Sequence, residues 1–281
     1  MEWIYFIIGG AFIGILSGFF GIGGGIVLTP TLLVLGYDPS QAIILSLMLT
    51  LGSTVTGTIS HIRLKNVNGR LAIILGIAGV IGSTVTAPFV KWLEASNGAS
   101  LVISIAYIAI LGWFSYQFFR KEKSDAKPKG KGAVPVIGFI TGVISSLMGV
   151  SGGFVMTPLL SKWIRLDLKK AIGTSITAAS IIVLSGIGSY MAAGETLDYR
   201  HGVLLIAGAL IGTPIGSTQL KNFATDKVKR MLAFLYIIVA ASVILKLLQI
   251  PTLSLILIGA AMVAFFAVLI NKQRKEPSAS A

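Results

Sequence analysis

Two glycine-rich segments are the residues whose types and spacing point most directly to chemistry: Gly21-Ile-Gly-Gly-Gly25 followed by Thr29-Pro30, and Gly149-Val-Ser-Gly-Gly153 followed by Thr157-Pro158. Glycine exposes its backbone N–H without a side chain, so a glycine-rich break ahead of a short helix gathers donors at the positive end of that helix. That arrangement suits an anion. The expected donors are the backbone groups of Gly23, Gly24, Gly25, Gly152 and Gly153, with Thr29, Ser151 and Thr157 adding hydroxyls. The competing reading is that these glycines let helices approach closely in a membrane. A phosphate-cradling nucleotide loop is disfavoured, because neither segment carries the Lys-Ser/Thr of a P-loop and each follows an apolar membrane segment instead of a soluble strand.

A second signal follows each break. Ala42, Ser46, Thr50, Ser53, Gly57 and Ser60 recur at intervals of four, four, three, four and three, which places them on one helical face. The later counterpart is Ala171, Ser175, Ala179, Ile182, Gly186 and Ser189. Such stripes serve helix packing first, while Ser46, Thr50, Thr174, Ser175 and Thr177 are placed to face a substrate as well. Other chemistry is scarce. The chain has no Cys and two His, His61 and His201, at expected span ends and without companion ligands, so neither a metal site nor a cofactor is expected. No Asp or Glu falls clearly inside a span; the nearest, Glu195, is expected at the outer surface.

The elements that must position these residues are membrane helices. Of 281 residues 54% are hydrophobic and 12% charged, with mean hydropathy +0.89, which leaves too little polar surface for a water-soluble globule. Uncharged or nearly uncharged segments fall at 4–20, 22–36, 42–60, 71–92, 99–119, 134–150, 153–164, 171–193, 203–220, 231–248 and 253–270. Most match the roughly 20 residues a helix needs to cross a bilayer core. The 22–36 and 153–164 pieces are too short, so each forms a hairpin with its predecessor, crossing fully or re-entering. The N-terminus lacks the basic flank and cleavage pattern of a signal peptide and is expected to be retained.

Of 23 basic residues, 20 lie in five clusters, around 63–70, 120–131, 162–170, 221–230 and 272–275, and threading the segments puts all five on one face. By the positive-inside rule that face is cytoplasmic, with the N-terminus outside and the C-terminus inside. The formal charge of +13 therefore records orientation in a lipid bilayer, not a nucleic-acid partner. The expected organisation is a membrane repeat at 1–120, a cytoplasmic linker rich in Lys, Gly, Ser and Pro at 121–133, a second repeat at 134–249, and an extra helix with a tail at 250–281.

The repeat is visible in the residues. A shift of 128 aligns Gly14–Pro30 with Gly142–Pro158 at eight identities in 17 positions; shifts of 129 and 130 match Ala42, Ser46, Gly57, Arg70 and Gly82 with Ala171, Ser175, Gly186, Arg200 and Gly212. Five segments per repeat is an odd number, so the copies run in opposite directions across the membrane. The fold class is an all-α polytopic membrane protein of two inverted repeats, each a glycine-broken hairpin plus three transmembrane helices, with one C-terminal addition. Inverted repeats with matched Gly/Pro interruptions point to a transporter with its site near mid-membrane.

At the two glycine hairpins, and through the small-residue helices after them, the sequence resembles the sulfite exporter TauE/SafE family, also called the four-toluene-sulfonate uptake permease family. The second copy departs in carrying Ser151 where the first has Gly23. The resemblance implies a secondary permease for small anions, such as sulfite, sulfonates or related organosulfur compounds, in a prokaryotic plasma membrane. An anion channel with the hairpins as a fixed filter is the alternative. An enzyme is disfavoured, because no Cys, His cluster or paired intramembrane carboxylate is available. The particular anion, direction, coupling ion and oligomeric state are left open.

Overall fold

A computed structural model describes residues 2–119, 130–196, 198–220 and 223–275. The expected linker lies outside these residues except for Gly130 and a 3-10 turn at Lys131–Ala133, as do the end of the C-terminal tail and Lys221. The described residues are helical throughout, in the order α1 (Glu2–Phe20), α2 (Gly25–Val34), α3 (Pro39–Arg63), α4 (Gly69–Ala95), α5 (Ala99–Phe119), α6 (Val134–Met148), α7 (Gly153–Trp163), α8 (Leu168–Ala192), α9 (Tyr199–Leu220), α10 (Thr225–Leu247) and α11 (Pro251–Lys275).

Eight of these helices are long and apolar enough to span a membrane, and the exceptions belong to the glycine hairpins. At 1.5 Å per residue, α2 and α7 rise about 15 Å, half of a roughly 30 Å bilayer core. Each returns the chain from a break without crossing alone. Local sequence sets the helix starts: Pro39 opens α3 behind an extended Asp38, Asn68 accepts from the Leu71 N–H at 3.2 Å to cap α4, and Asp167 accepts from Lys169 N–H to cap α8.

Small residues decide how the long helices meet. Gly10, Gly14 and Gly18 of α1 lie against Leu205, Ala209 and Thr213 of α9, while Gly212 and Gly216 of α9 lie against Ala11 and Ile15. A Cβ at Gly216 would sit 1.9 Å from the Ile15 carbonyl oxygen, so backbone meets backbone with no room for a methyl group. The α4–α6 pair is built the same way, with Gly142 against Gly79 and Gly82 against Phe139.

These contacts also fix directions. α1 runs parallel to α9, and α4 to α6, whereas α3 and α8 are antiparallel, with Gly57 on Ile176 and Gly186 on Leu47. α5 and α10 are antiparallel too: Ser115 Oγ donates to the Ala233 carbonyl at one end, and Lys246 Nζ donates to Ser100 Oγ at the other. Since α3 also runs parallel to α9, through Met48 on Gly202 and Gly52 on Ile206, helices α1, α3 and α9 point one way. α4, α6 and α8 point the other, with Gly76 on Ile181 and Ser83 bonded to Ser185.

Candidate functional site

The two breaks meet in the buried centre. Gly21, Gly23, Gly149 and Gly152 all have positive φ, between 67° and 75°, so each helix can stop and reverse within a few residues. Ser151 Oγ donates to the Ile22 carbonyl at 2.9 Å and accepts from the Gly153 N–H at 3.3 Å. Gly23 faces Ser151, and Gly25 lies so close to Gly149 that a Cβ would fall 1.7 Å from its carbonyl oxygen. The first intrahelical bonds of α2 are made by Val27 and Leu28 to Gly24, which leaves the Gly25 and Ile26 N–H groups at the free, positive end of that helix.

Around this crossing the chain supplies hydroxyls. Thr29 Oγ1 donates to the Met148 carbonyl at 2.9 Å, and Tyr107 OH from α5 donates to the same carbonyl while lying 3.2 Å from the Gly25 carbonyl. Ser145 Oγ closes the α6 end by donating to Val150. Ser46 lies against Gly149, and its hydroxyl, like those of Thr50 and Ser146, is buried without a hydrogen-bond partner.

The structure brings some expected site residues together and separates others. Gly23, Gly25, Thr29, Ser46, Ser151 and Gly153 gather at the crossing. Gly24 packs on Leu49 and Ile13, and Gly152 on the Thr141 methyl, so close packing accounts for both. Thr157 and Ser175 bond to each other at 2.7 Å, and Thr174 accepts from the Asn68 N–H at 3.0 Å. Because Leu47 packs on Gly186, eleven residues beyond Ser175, the Ser46 and Ser175 levels differ by about 16 Å along α8. A cavity of about 410 Å³ opens between α4 and α8, lined by Thr84, Pro88, Ser185, Gly188, Ser189, Ala192 and Ala193. None of the expected site residues lines it.

Tyr107, Ser145 and Ser146 were not among the sequence candidates. The one signal available was a shift of 129, which pairs Tyr107 with Tyr236 and carries buried Ile103, Ser104 and Leu111 onto buried Leu232, Ala233 and Ala240. Glu195 lies in the loop after α8, beyond the end of that span, and its side chain, 7% exposed, is paired there: Lys91 Nζ lies 2.7 Å from its carboxylate and 3.1 Å from that of Glu94. The ammonium makes that burial tolerable. Glu94 further accepts from the Ser40 N–H at the start of α3.

His61 lies in the last turn of α3; His201 stacks on Phe6 at 3.9 Å and pairs with Asp198. Partial burial opposes ionisation of Asp198, but the bonds it accepts from His201 and from the Arg200 amide outweigh that and hold its carboxyl below the usual value. Among the described residues no group of His, Asp and Glu has a metal-binding arrangement.

The family model for the sulfite exporter TauE/SafE matches residues 6–243, from the first helix through α10. The chain belongs to this family. It is 24% identical to a probable membrane transporter protein of Bacillus subtilis, YunE, over 87% of this chain and 98% of that protein. A probable membrane transporter protein of Methanocaldococcus jannaschii is 28% identical over 73% of this chain and 79% of the relative, and one of Haemophilus influenzae 25% over 84% and 96%. No solved structure matches. Membership and eight apolar helices together make this a multi-pass membrane protein.

Proposed function

We propose that this protein is a secondary transporter that moves a small oxyanion across a prokaryotic plasma membrane, with sulfite, sulfonates or related organosulfur anions as the substrate class. The observation that carries the reading is the pair of buried hydroxyls without partners, Ser46 and Thr50, on the α3 face that reaches Gly149 where the hairpin breaks cross. A buried hydroxyl left unbonded is costly, and an oxygen-rich anion relieves the cost. Gly25 and Ile26 N–H groups at the free end of α2 supply further donors without a cationic side chain, beside Thr29, whose own proton goes to the Met148 carbonyl. In the second half the residues aligned by the repeat are Gly153, Thr157 and Ser175, whose N–H and hydroxyls are bonded to Ser151, to each other and to the Ile172 carbonyl in this state.

Opposite directions of α1 and α6, α3 and α8, α4 and α9, and α5 and α10 support two inverted repeats and alternating access about the crossing. The N-terminus is outside and the C-terminus cytoplasmic in this reading. Hairpins packed as closely as Gly25 on Gly149 favour a carrier over a fixed anion filter. The test is counterflow of labelled sulfite and of a labelled sulfonate into liposomes holding purified protein. Saturable counterflow is expected, weakened about tenfold in affinity by Ser46→Ala with Thr50→Ala while the fold is kept. Channel-like currents with no counterflow would overturn the carrier.

A further inference from the structure

The two halves are not in the same state. At the second break, Gly149 is buried against Thr29 and Ser46, and Tyr107 OH bonds the Met148 carbonyl beside the Gly25 carbonyl. At the first break, the corresponding Gly21 is exposed, with nothing within 4 Å of where a Cβ would be, although its carbonyl lies against Gly153 at the crossing. Thr29 and Pro30 are buried, whereas their counterparts Thr157 and Pro158 are partly exposed. Tyr236, the counterpart of Tyr107, is fully buried between Phe154 and Phe118, and its hydroxyl has no partner.

We propose that Tyr107 and Tyr236 are alternate latches of the transport cycle. Here Tyr107 ties the end of α6 to the start of α2 and seals the half that contains Thr29, the outer half in the orientation above. The inner half is the less covered of the two, with Gly21 exposed and Thr157 partly exposed. In the opposite state Tyr236 OH donates to the Phe20 carbonyl, the residue that a shift of 128 pairs with Met148, beside the Gly153 carbonyl, and Tyr107 releases. One hydroxyl is satisfied in each state and the other is stranded, so the two conformations stay close in free energy, as a carrier requires. This rests on the inverted-repeat transporter reading, but its test does not need substrate.

The chain has no cysteine, so one introduced at Thr29→Cys is the sole thiol and reports on the sealed half. Its labelling by a water-soluble maleimide is followed in permeabilised membranes. Tyr107→Phe is expected to speed labelling about fivefold, the change produced by one lost hydrogen bond. Tyr236→Phe, which loses no bond in the present state, is expected to slow labelling by a similar factor. Opposite effects from the same chemical change support the latches; a shared sign, or no change, overturns them. Should Tyr107→Phe fail to purify, the slowing by Tyr236→Phe decides alone. Opposed labelling with no anion counterflow sinks the transport reading and leaves the latches standing; normal counterflow with unchanged labelling does the reverse.

Discussion

Ser151 Oγ donates to the Ile22 carbonyl at 2.9 Å, so a side chain of the second break closes on the backbone of the first, 129 residues away. Both residues are buried. Ser151→Ala leaves that carbonyl without its donor, which costs about 1 kcal/mol once the weaker return on hydrogen bonds inside membranes is allowed for. A fall of roughly 2–4 °C in the unfolding midpoint in detergent is expected. An unchanged midpoint would show that the two breaks hold together without this bond.

The glycines separate by what surrounds them. An alanine at Gly25 would meet the Gly149 carbonyl at 1.7 Å, backbone that cannot move aside, whereas at Gly24 it meets the ends of Leu49 and Ile13, and at Gly9 nothing within 4 Å. Recovery of folded, monodisperse protein is therefore expected to follow Gly9→Ala, then Gly24→Ala, then Gly25→Ala, with the last close to none. Equal recovery of all three would contradict the close approach of the hairpins.

Much of this was legible in the sequence because membrane helices announce themselves by composition and the duplication by identities. The run 42–60 sits inside α3 and 171–193 reaches one residue past the end of α8, and both short hairpin arms fall where the glycine breaks placed them. Depth was not legible. Ser46 and Ser175 are paired by the 129-residue shift, yet the antiparallel packing of α3 on α8 sets them about 16 Å apart in level. Nor was the partner of each glycine: Gly24 and Gly25 are neighbours, but one faces side chains and the other a carbonyl. Pairings such as Lys91 with Glu195 need the packing of α4 on α8, which no local pattern states.

That ion pair makes a double-mutant prediction. Lys91 is 31% exposed and serves both Glu94 and Glu195, so Lys91→Met strands two carboxylates at once. Adding Glu195→Gln removes the more buried of them. The double variant is expected to be more stable than Lys91→Met alone, with a coupling of about 1–2 kcal/mol in thermal unfolding. Strictly additive losses would mean that the pair contributes nothing beyond its separate side chains.

Asp198 gives a pH dependence of known sign. Its carboxyl is held below the usual value by bonds from His201 and the Arg200 amide. A group with a lowered folded value stabilises above its unfolded value, near 3.9, and loses that contribution as pH falls through the lowered one. The midpoint difference between the parent and Asp198→Asn is thus expected to be largest near neutrality and to shrink below about pH 4. A difference that grew on acidification would reverse the sign.

Orientation is tested most directly from outside the cell. The threading that places 20 of 23 basic residues on one face puts Ser124 and Ser278 inside and Ser96, the exposed C-cap of α4, outside. Single cysteines at these positions meet no native thiol. With an impermeant thiol reagent added to intact cells, Ser96→Cys is expected to react, and Ser124→Cys and Ser278→Cys only after the membrane is broken. Because helix directions are fixed relative to one another by the α1–α9, α4–α6 and α3–α8 contacts, one inverted result turns the whole bundle over. Reaction of Ser124→Cys in intact cells would therefore place Thr29 and Tyr107 in the cytoplasmic half, and the sealed side of the crossing would face the cytoplasm.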